Sequence, residues 1–197
     1  MIVLPETVAG KAHLAPMFPP TLQPTDHLPL TLGGHTHLIP RCRPTFTAAP
    51  HTDGVHTFGG KDLLLVDGRP QFAEVAILRA FQAAGWQGRW LETYGKGKMT
   101  PGLWNAWHPA GPRAQEHLLI AEAWVNERLH TIAAANGNTF SGCWDVVAWK
   151  NHRLVFAESK KRKKDSMRGT QLRWLEAALR CGCSVEDFLV VEWELAT

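Results

Sequence analysis

The sequence has no apolar run that approaches the roughly 20 residues that a helix needs to cross a bilayer. Its first residues also lack the basic start followed by an apolar stretch that marks a secretory signal. We therefore expect a soluble protein with no membrane partner, located in the cytoplasm.

Cysteine is scarce and is not spaced as zinc ligands usually are. Of four cysteines, Cys42 and Cys143 stand alone, and Cys181 and Cys183 are separated by one residue. No C-x-x-C pair occurs, and two histidines close to Cys42 match no zinc-binding spacing either. The pattern demands neither a zinc site nor disulfides, which suits a reducing compartment.

The composition of the 197-residue chain changes near residue 65. The part before this point holds most of the 13 prolines and six of the 10 histidines, with little periodicity. It predicts an extended arm or a loop-rich cap over residues 1–65. Residues 66–197 predict one globular domain, as the hydrophobic content of 45% allows.

The periodicity of the second part predicts a small α/β domain with a mixed sheet between helices. Its helices are expected to end at Gly or Asn-Gly, and its strands are short apolar runs. In order, the predicted elements are a helix at 70–84, a strand at 89–93, a Gly/Pro/Trp-rich loop at 95–112, a helix at 113–135, strands at 143–149 and 153–159, a helix at 167–180 and a strand at 188–193.

The two middle strands predict a hairpin with its turn at Asn151-His152. Facing residues then have numbers that sum to 303, which places Asp145 opposite Glu158. Because strand side chains alternate between faces, Glu158 and Lys160 share one face. Two opposed carboxylates repel each other, so we expect a divalent cation with oxygen ligands between them. The alternative is an exposed hairpin face with scattered charges.

Two predicted helices each carry a polar residue on an otherwise apolar stripe. Glu74 lies in line with Ile77, and Gln171 lies in line with Trp174 and Leu175. Buried polar groups need partners, which a metal ion, its waters or the carboxylate pair would supply. The alternative is that each residue lies at the exposed edge of its stripe.

Three segments of the sequence, taken in order, resemble the PD-(D/E)xK nuclease superfamily. They are W-D-V-V-A-W, V-F-A-E-S-K and Q-L-R-W-L. Within it, the virus-type replication-repair nuclease (VRR-NUC) group is the most similar. Asp145 matches the acidic residue that starts one strand, and Glu158 and Lys160 match the E-x-K that ends the next. Gln171 matches the glutamine of the following helix, and Glu74 matches the acidic residue of the first helix. A Cys-Trp pair replaces the proline that is common before the aspartate.

For residues 70–194, the resemblance implies an α/β, restriction-endonuclease-like core with a mixed central sheet flanked by helices. It implies a metal-dependent nuclease that hydrolyses phosphodiester bonds of nucleic acid, DNA rather than RNA, and it suggests a homodimer. The implied catalytic residues are Glu74, Asp145, Glu158, Lys160 and Gln171. The implied ligands of Mg²⁺ or Mn²⁺ are Glu74, Asp145, Glu158 and the carbonyl of Ser159. Lys160 would stabilise the transition state, and Gln171 would position Lys160 or a water.

A basic run at residues 160–164 follows the second hairpin strand, although the formal net charge is only +3. Its place beside the predicted site favours contact with the nucleic-acid backbone over a merely solvated loop. The predicted contacts are Lys161, Arg162, Lys163, Lys164, Arg168 and Arg173. A second surface would combine Lys96 and Lys98 with rings that stack on bases, namely Tyr94, Trp104 and Trp107. The alternative is that these tryptophans anchor the core or a loop.

Two other functions stay open on the sequence alone. A nuclease-like fold can bind nucleic acid without cutting it. The hairpin charges can also be surface features of a structural or regulatory α/β domain, in which case Asp145→Ala would change stability little.

Overall fold

The computed structural model describes residues 17–196, except for the side chains at 96 and 97. The first 16 residues of the predicted arm and the predicted contact Lys96 therefore lie outside the described residues. The strands are β1 (Asp26–Leu32), β2 (His35–Cys42), β3 (Thr45–Phe46), β4 (Leu64–Val66), β5 (Arg69–Gln71), β6 (Gln87–Glu92), β7 (Gly102–Trp104), β8 (Val146–Lys150), β9 (Arg153–Lys161) and β10 (Phe188–Leu195). The α-helices are α1 (Ala73–Ala83), α2 (Ala123–Ala135) and α3 (Gly169–Arg180).

Eight strands form one mixed sheet. Its neighbours run in the order β1, β2, β10, β9, β8, β6 and β7, and β3 pairs with β10. β10 is parallel to β2 and to β9, whereas the other pairs along this path are antiparallel. β4 and β5 form a separate hairpin. The predicted mixed sheet with helices is confirmed.

Helices cover both faces of the sheet because strand side chains alternate in direction. On β8, Val146 and Ala148 pack in the core cluster that contains α1. Val147 and Trp149 pack on the other face, with α2 and α3. β8 is therefore buried on both faces, as its nearly continuous apolar sequence requires.

The sheet crosses the boundary that composition predicts at residue 65. β2 pairs with β10 through Arg41–Val190 and Cys42–Val191. Residues 26–46 thus form one edge of the central sheet rather than an arm apart from it. The prolines at positions 29 and 40 make these strands hard to predict from the sequence, because proline is depleted in strands.

The helix predicted at 113–135 is wrong in its first half, since α2 begins only at Ala123. The N–H of Leu118 donates to the carbonyl of Leu103 at 2.8 Å. The Arg89 guanidinium donates to the carbonyl oxygens of Leu118 and of the residue after it, at 2.9 and 3.0 Å. These contacts hold the segment extended, so tertiary structure overrides the helical pattern.

The remaining predicted elements occur with shifted ends. α1 begins at Ala73 rather than Pro70, because Pro70 lies in the short strand β5. The predicted loop at 95–112 contains β7, which pairs with β6. Within residues 17–196, no helix has both the length and the apolar character needed to span a membrane.

Helix α1 approaches the sheet closely at Gly88 on β6. A Cβ atom there would lie 2.8 Å from Leu78 Cδ1 and 2.9 Å from the Val147 carbonyl oxygen. This oxygen belongs to the backbone of the central sheet and cannot move aside.

We expect Gly88→Ala to lower the free energy of unfolding by about 1–3 kcal/mol, as measured by chemical denaturation. Gly169→Ala is the matched control, since its Cβ would meet nothing closer than 3.8 Å. Equal stability of the two variants would contradict this close packing.

Candidate active site

The hairpin of β8 and β9 has the register that the sequence predicts. Val146 pairs with Ala157 and Lys150 with Arg153, so the numbers of facing residues sum to 303. The two turn residues make this register possible, since Asn151 and His152 adopt φ angles of 50° and 61°. Positive φ at both positions is the geometry of a tight two-residue hairpin turn.

Asp145 immediately precedes β8 and lies at the position opposite Glu158 on β9. The backbone N–H of Ser159 donates to Asp145 Oδ2 at 2.9 Å, which ties the aspartate to β9. Glu158 is 1% exposed, and Asp145 is half-buried. The structure therefore holds two carboxyl groups close together at the ends of two core strands.

Lys160 lies one pleat beyond Glu158 on the same face of β9. Its Nζ donates to Glu158 Oε1 at 2.8 Å and to Gln171 Oε1 at 3.1 Å. The Gln171 amide nitrogen in turn donates to Glu158 Oε1. Gln171 Oε1 also accepts the backbone N–H of Arg168 at 2.9 Å, which fixes the orientation of the amide. Gln171 thus bridges Glu158 and Lys160.

The amino-terminal end of α3 reaches this site because the chain before Asp145 has no side chain at Gly142. A Cβ atom at Gly142 would overlap the backbone of Thr170, and the φ of +85° also favours glycine. The indole N–H of Trp144 donates to the Gln171 carbonyl at 3.4 Å. These two contacts dock α3 so that Gln171 meets the carboxylates.

The electrostatics of the carboxyl pair favour an added cation. Burial raises the pKa of Asp145 well above its usual range, and the charge of Glu158 raises it further, against the opposing effect of Lys160. Burial likewise raises the pKa of Glu158, although Lys160 lowers it. Within residues 17–196, Glu158 Oε2 is buried and has no hydrogen-bond partner. A buried carboxylate oxygen without a partner is costly, and a cation would remove that cost.

Glu74 lies in the first turn of α1 and is 7% exposed. Burial raises the pKa of its carboxyl group. Its Oε1 lies 3.4 Å from Nζ of Lys61. Burial lowers the pKa of Lys61, but the carboxylates of Glu74, Asp145 and Glu92 outweigh this effect and raise it. Lys61 is a site residue that the sequence did not reveal, because its segment shows no periodicity and lies far along the chain from Asp145, Glu158 and Gln171.

The five predicted catalytic residues line one cleft of about 510 Å³, together with Lys61 and Trp193. Three of the predicted nucleic-acid contacts also line it, namely Lys161, Lys164 and Arg168. The cleft therefore brings together residues from distant parts of the chain, from Lys61 to Trp193.

The basic run is partly neutralised within the protein. Lys161 Nζ lies 2.6 Å from Asp62 Oδ2, and its side chain is only 17% exposed. Arg162 forms an ion pair with Glu194 at 2.9 Å. The other predicted contacts are exposed and able to face a ligand; they are Lys163, Lys164, Arg168 and Arg173.

The predicted stacking surface is wrong for its tryptophans. Trp104 and Trp107 are 7% and 2% exposed and belong to an aromatic core cluster with Phe72 and Trp90. Only Tyr94 among the three predicted rings is free to stack, since it is 83% exposed. Trp104 and Trp107 are therefore buried core residues of a Gly-rich segment.

No group of three or more His, Cys, Asp or Glu residues is placed to hold a metal ion within residues 17–196. The three predicted acidic ligands line the same cleft without forming such a group, and Glu74 Oε1 lies 3.4 Å from the Lys61 ammonium. Asp145, Glu158 and the Ser159 carbonyl remain as oxygen donors. This small set fits Mg²⁺ or Mn²⁺, since Mg²⁺ keeps several waters and needs few protein carboxylates.

Comparisons of the chain with protein-family models, with curated proteins and with solved structures found no match. A functional assignment therefore depends on the chemistry of the cleft. The features to be explained are a carboxyl pair at the ends of two core strands, a lysine fixed beside it and exposed basic residues at the rim.

The repulsion between the two carboxyl groups predicts that Asp145→Asn stabilises the metal-free protein. The raised pKa means that the folded protein holds this proton more tightly than the unfolded chain, so stability is lost as the pH rises and the group ionises. Asn removes that cost, and its amide oxygen can still accept the Ser159 N–H. At neutral pH with chelator, we expect a melting temperature about 2–4 °C above that of the wild type.

Addition of Mg²⁺ should reverse the order of the two melting temperatures, so that the wild type melts above Asp145→Asn. An ion that binds only the folded state stabilises that state, so Mg²⁺ should raise the melting temperature of the wild type. The melting temperature of Asp145→Asn should not change with Mg²⁺. Asp53→Asn, at an exposed position, is the control for the change of charge. An unchanged wild-type melting temperature over millimolar Mg²⁺ would argue against a cation at the carboxyl pair.

Proposed function

We propose that the protein is a metal-dependent nuclease that hydrolyses phosphodiester bonds of nucleic acid, DNA rather than RNA, on a restriction-endonuclease-like core. The observation that carries this proposal is the pairing of Asp145 with Glu158, with the Lys160 ammonium held 2.8 Å from Glu158. Two carboxylates and a fixed ammonium are the groups that metal-assisted phosphodiester hydrolysis needs. The resemblance of the sequence to PD-(D/E)xK nucleases supports the same reaction.

Asp145, Glu158 and the Ser159 carbonyl would hold Mg²⁺ or Mn²⁺. When bound, the ion would lower the pKa of a water and neutralise charge on the phosphate. Lys160 supplies a positive charge whose position is already set by Glu158 and Gln171. Such a preorganised charge stabilises the extra negative charge of the transition state without further reorganisation.

Substrate binding would depend on the exposed basic residues at the rim of the cleft. Lys164 and Arg168 line the cleft, and Lys163 and Arg173 are exposed nearby in sequence. Contacts of this kind bind phosphates and carry little sequence information. We therefore propose that the enzyme selects the form of the nucleic acid rather than its base sequence. A homodimer stays a prediction from the resemblance.

The test is a cleavage assay on labelled linear, branched and circular nucleic acids with Mg²⁺, Mn²⁺ or chelator. We expect metal-dependent products from the wild type. Lys160→Gln should lower kcat at least about 100-fold, as the loss of one preorganised transition-state contact does. Asp145→Asn should be inactive although it is more stable than the wild type in chelator, so that its inactivity cannot come from a failure to fold.

Asp53→Asn should cleave like the wild type. Cleavage that persists in chelator, or in Asp145→Asn, would contradict the proposed mechanism. Binding by the wild type without any cleavage would instead support the alternative, a nucleic-acid-binding module on a nuclease-like fold.

A further inference from the structure

The cleft contains a second lysine that the proposed mechanism does not use. Lys61 lies in the loop before β4 and lines the cleft together with Glu74, Asp145 and Glu158. It comes from the part of the chain that composition separates from the rest. The position of its ammonium group is set by contacts on several sides.

The loop that carries Lys61 is held in place by its own backbone and by β9. The Lys61 N–H donates to the Thr57 carbonyl at 2.9 Å, and the Gly60 N–H donates to Thr57 Oγ1 at 3.1 Å. The next residue, Asp62, accepts a hydrogen bond from Lys161 Nζ at 2.6 Å. The loop is therefore tied to the strand that bears Glu158.

The Lys61 ammonium is positioned but not enclosed. Its Nζ lies 3.4 Å from Glu74 Oε1, and 5.9 and 5.8 Å from the ring centroids of Phe58 and Phe72. Such ring faces attract a cation. The side chain is nevertheless 53% exposed, and an ammonium has three N–H donors, so it can bind a further acceptor in the cleft.

Charge balance gives Lys61 a role beside the metal site. Glu74 contacts the Lys61 ammonium directly, whereas Glu158 contacts the Lys160 ammonium, and the charge of Asp145 acts on Lys61 from further away. Glu158 also keeps a buried oxygen with no partner among the described residues. Among the described residues of the cleft, the buried carboxylate oxygen without a partner therefore lies at the Asp145–Glu158 pair, whereas Glu74 already contacts an ammonium group.

We propose that Lys61 binds a phosphate oxygen of the nucleic-acid substrate in the cleft, and that Glu74 is the positioning residue for Lys61 rather than a metal ligand. This inference rests on the proposed nuclease function and makes it more specific. The residues before β4 thereby supply one of the cations of the substrate site, and a divalent ion is needed only at Asp145 and Glu158.

The first test measures binding without metal, so that cleavage plays no part. Fluorescence anisotropy of short fluorescein-labelled single-stranded and duplex DNA is recorded in chelator over a range of salt concentrations. Loss of one phosphate contact should lower the slope of log affinity against log salt by about 0.9, which corresponds to roughly eightfold weaker binding at about 0.1 M salt. Lys61→Ala should show this loss, and Lys61→Arg should restore most of the affinity.

Arg180→Ala is the matched control for charge and exposure. Arg180 also pairs with a glutamate, Glu176, at 3.5 Å and is 56% exposed, but it lies at the far end of α3 from Gln171. The Arg180→Ala variant should bind DNA with the affinity and salt slope of the wild type. Equal affinity and salt slope for Lys61→Ala and the wild type would overturn the inference and leave the nuclease proposal intact.

The second test asks whether Glu74 binds the metal. The Mg²⁺-induced shift in melting temperature should persist in Glu74→Gln, because the variant keeps Asp145 and Glu158. Loss of that shift would make Glu74 a metal ligand and overturn its role as a positioning residue. A wild-type protein that neither binds DNA in the first test nor cuts any substrate would refute the nuclease proposal itself, and the role of Lys61 with it.

Discussion

Two carboxyl groups that face each other across a pair of core strands, one buried and one half-buried, are the constraint around which the cleft is organised. Asp145 and Glu158 repel each other where water cannot fully screen them, and burial makes the ionised forms costly. Lys160, Gln171 and the Ser159 N–H each satisfy part of this pair. One oxygen of Glu158 remains unsatisfied among the described residues. The proposed divalent cation would offset this cost.

The surrounding architecture keeps this pair in position. Strands β8 and β9 are buried on both faces, so their register is fixed by packing as well as by hydrogen bonds. α3 reaches the pair because Gly142 lets the Thr170 backbone come close, and Trp144 binds the Gln171 carbonyl. Rigid strands and a docked helix end are better supports for reactive groups than loops, since they hold side chains within the small tolerances that catalysis needs.

The features that could be predicted from the sequence are those that local rules determine. A two-residue turn sets the β8–β9 register, so the placement of Asp145 opposite Glu158 followed from counting residues. The position of Lys61 could not be found in this way, because its neighbour Glu74 belongs to another element and the loop that carries Lys61 obeys no periodicity. The false helix before Ala123 fails for a similar reason, since the Arg89 side chain holds that segment extended. β1 and β2 could not be found in this way either, because they join the sheet through the pairing of β2 with β10, which lies near the other end of the described chain.

The parallel pairing of β10 between β2 and β9 has a consequence for how the protein is made. Arg43 and Glu192, which bond across this junction, are separated by 149 positions. Contacts of such long range form late and slowly, because a large loop must close first. Until β10 inserts, one edge of the strand that carries Glu158 is open to pairing with other chains. The step that completes the cleft is therefore also the step at which a newly synthesised molecule is most exposed to aggregation.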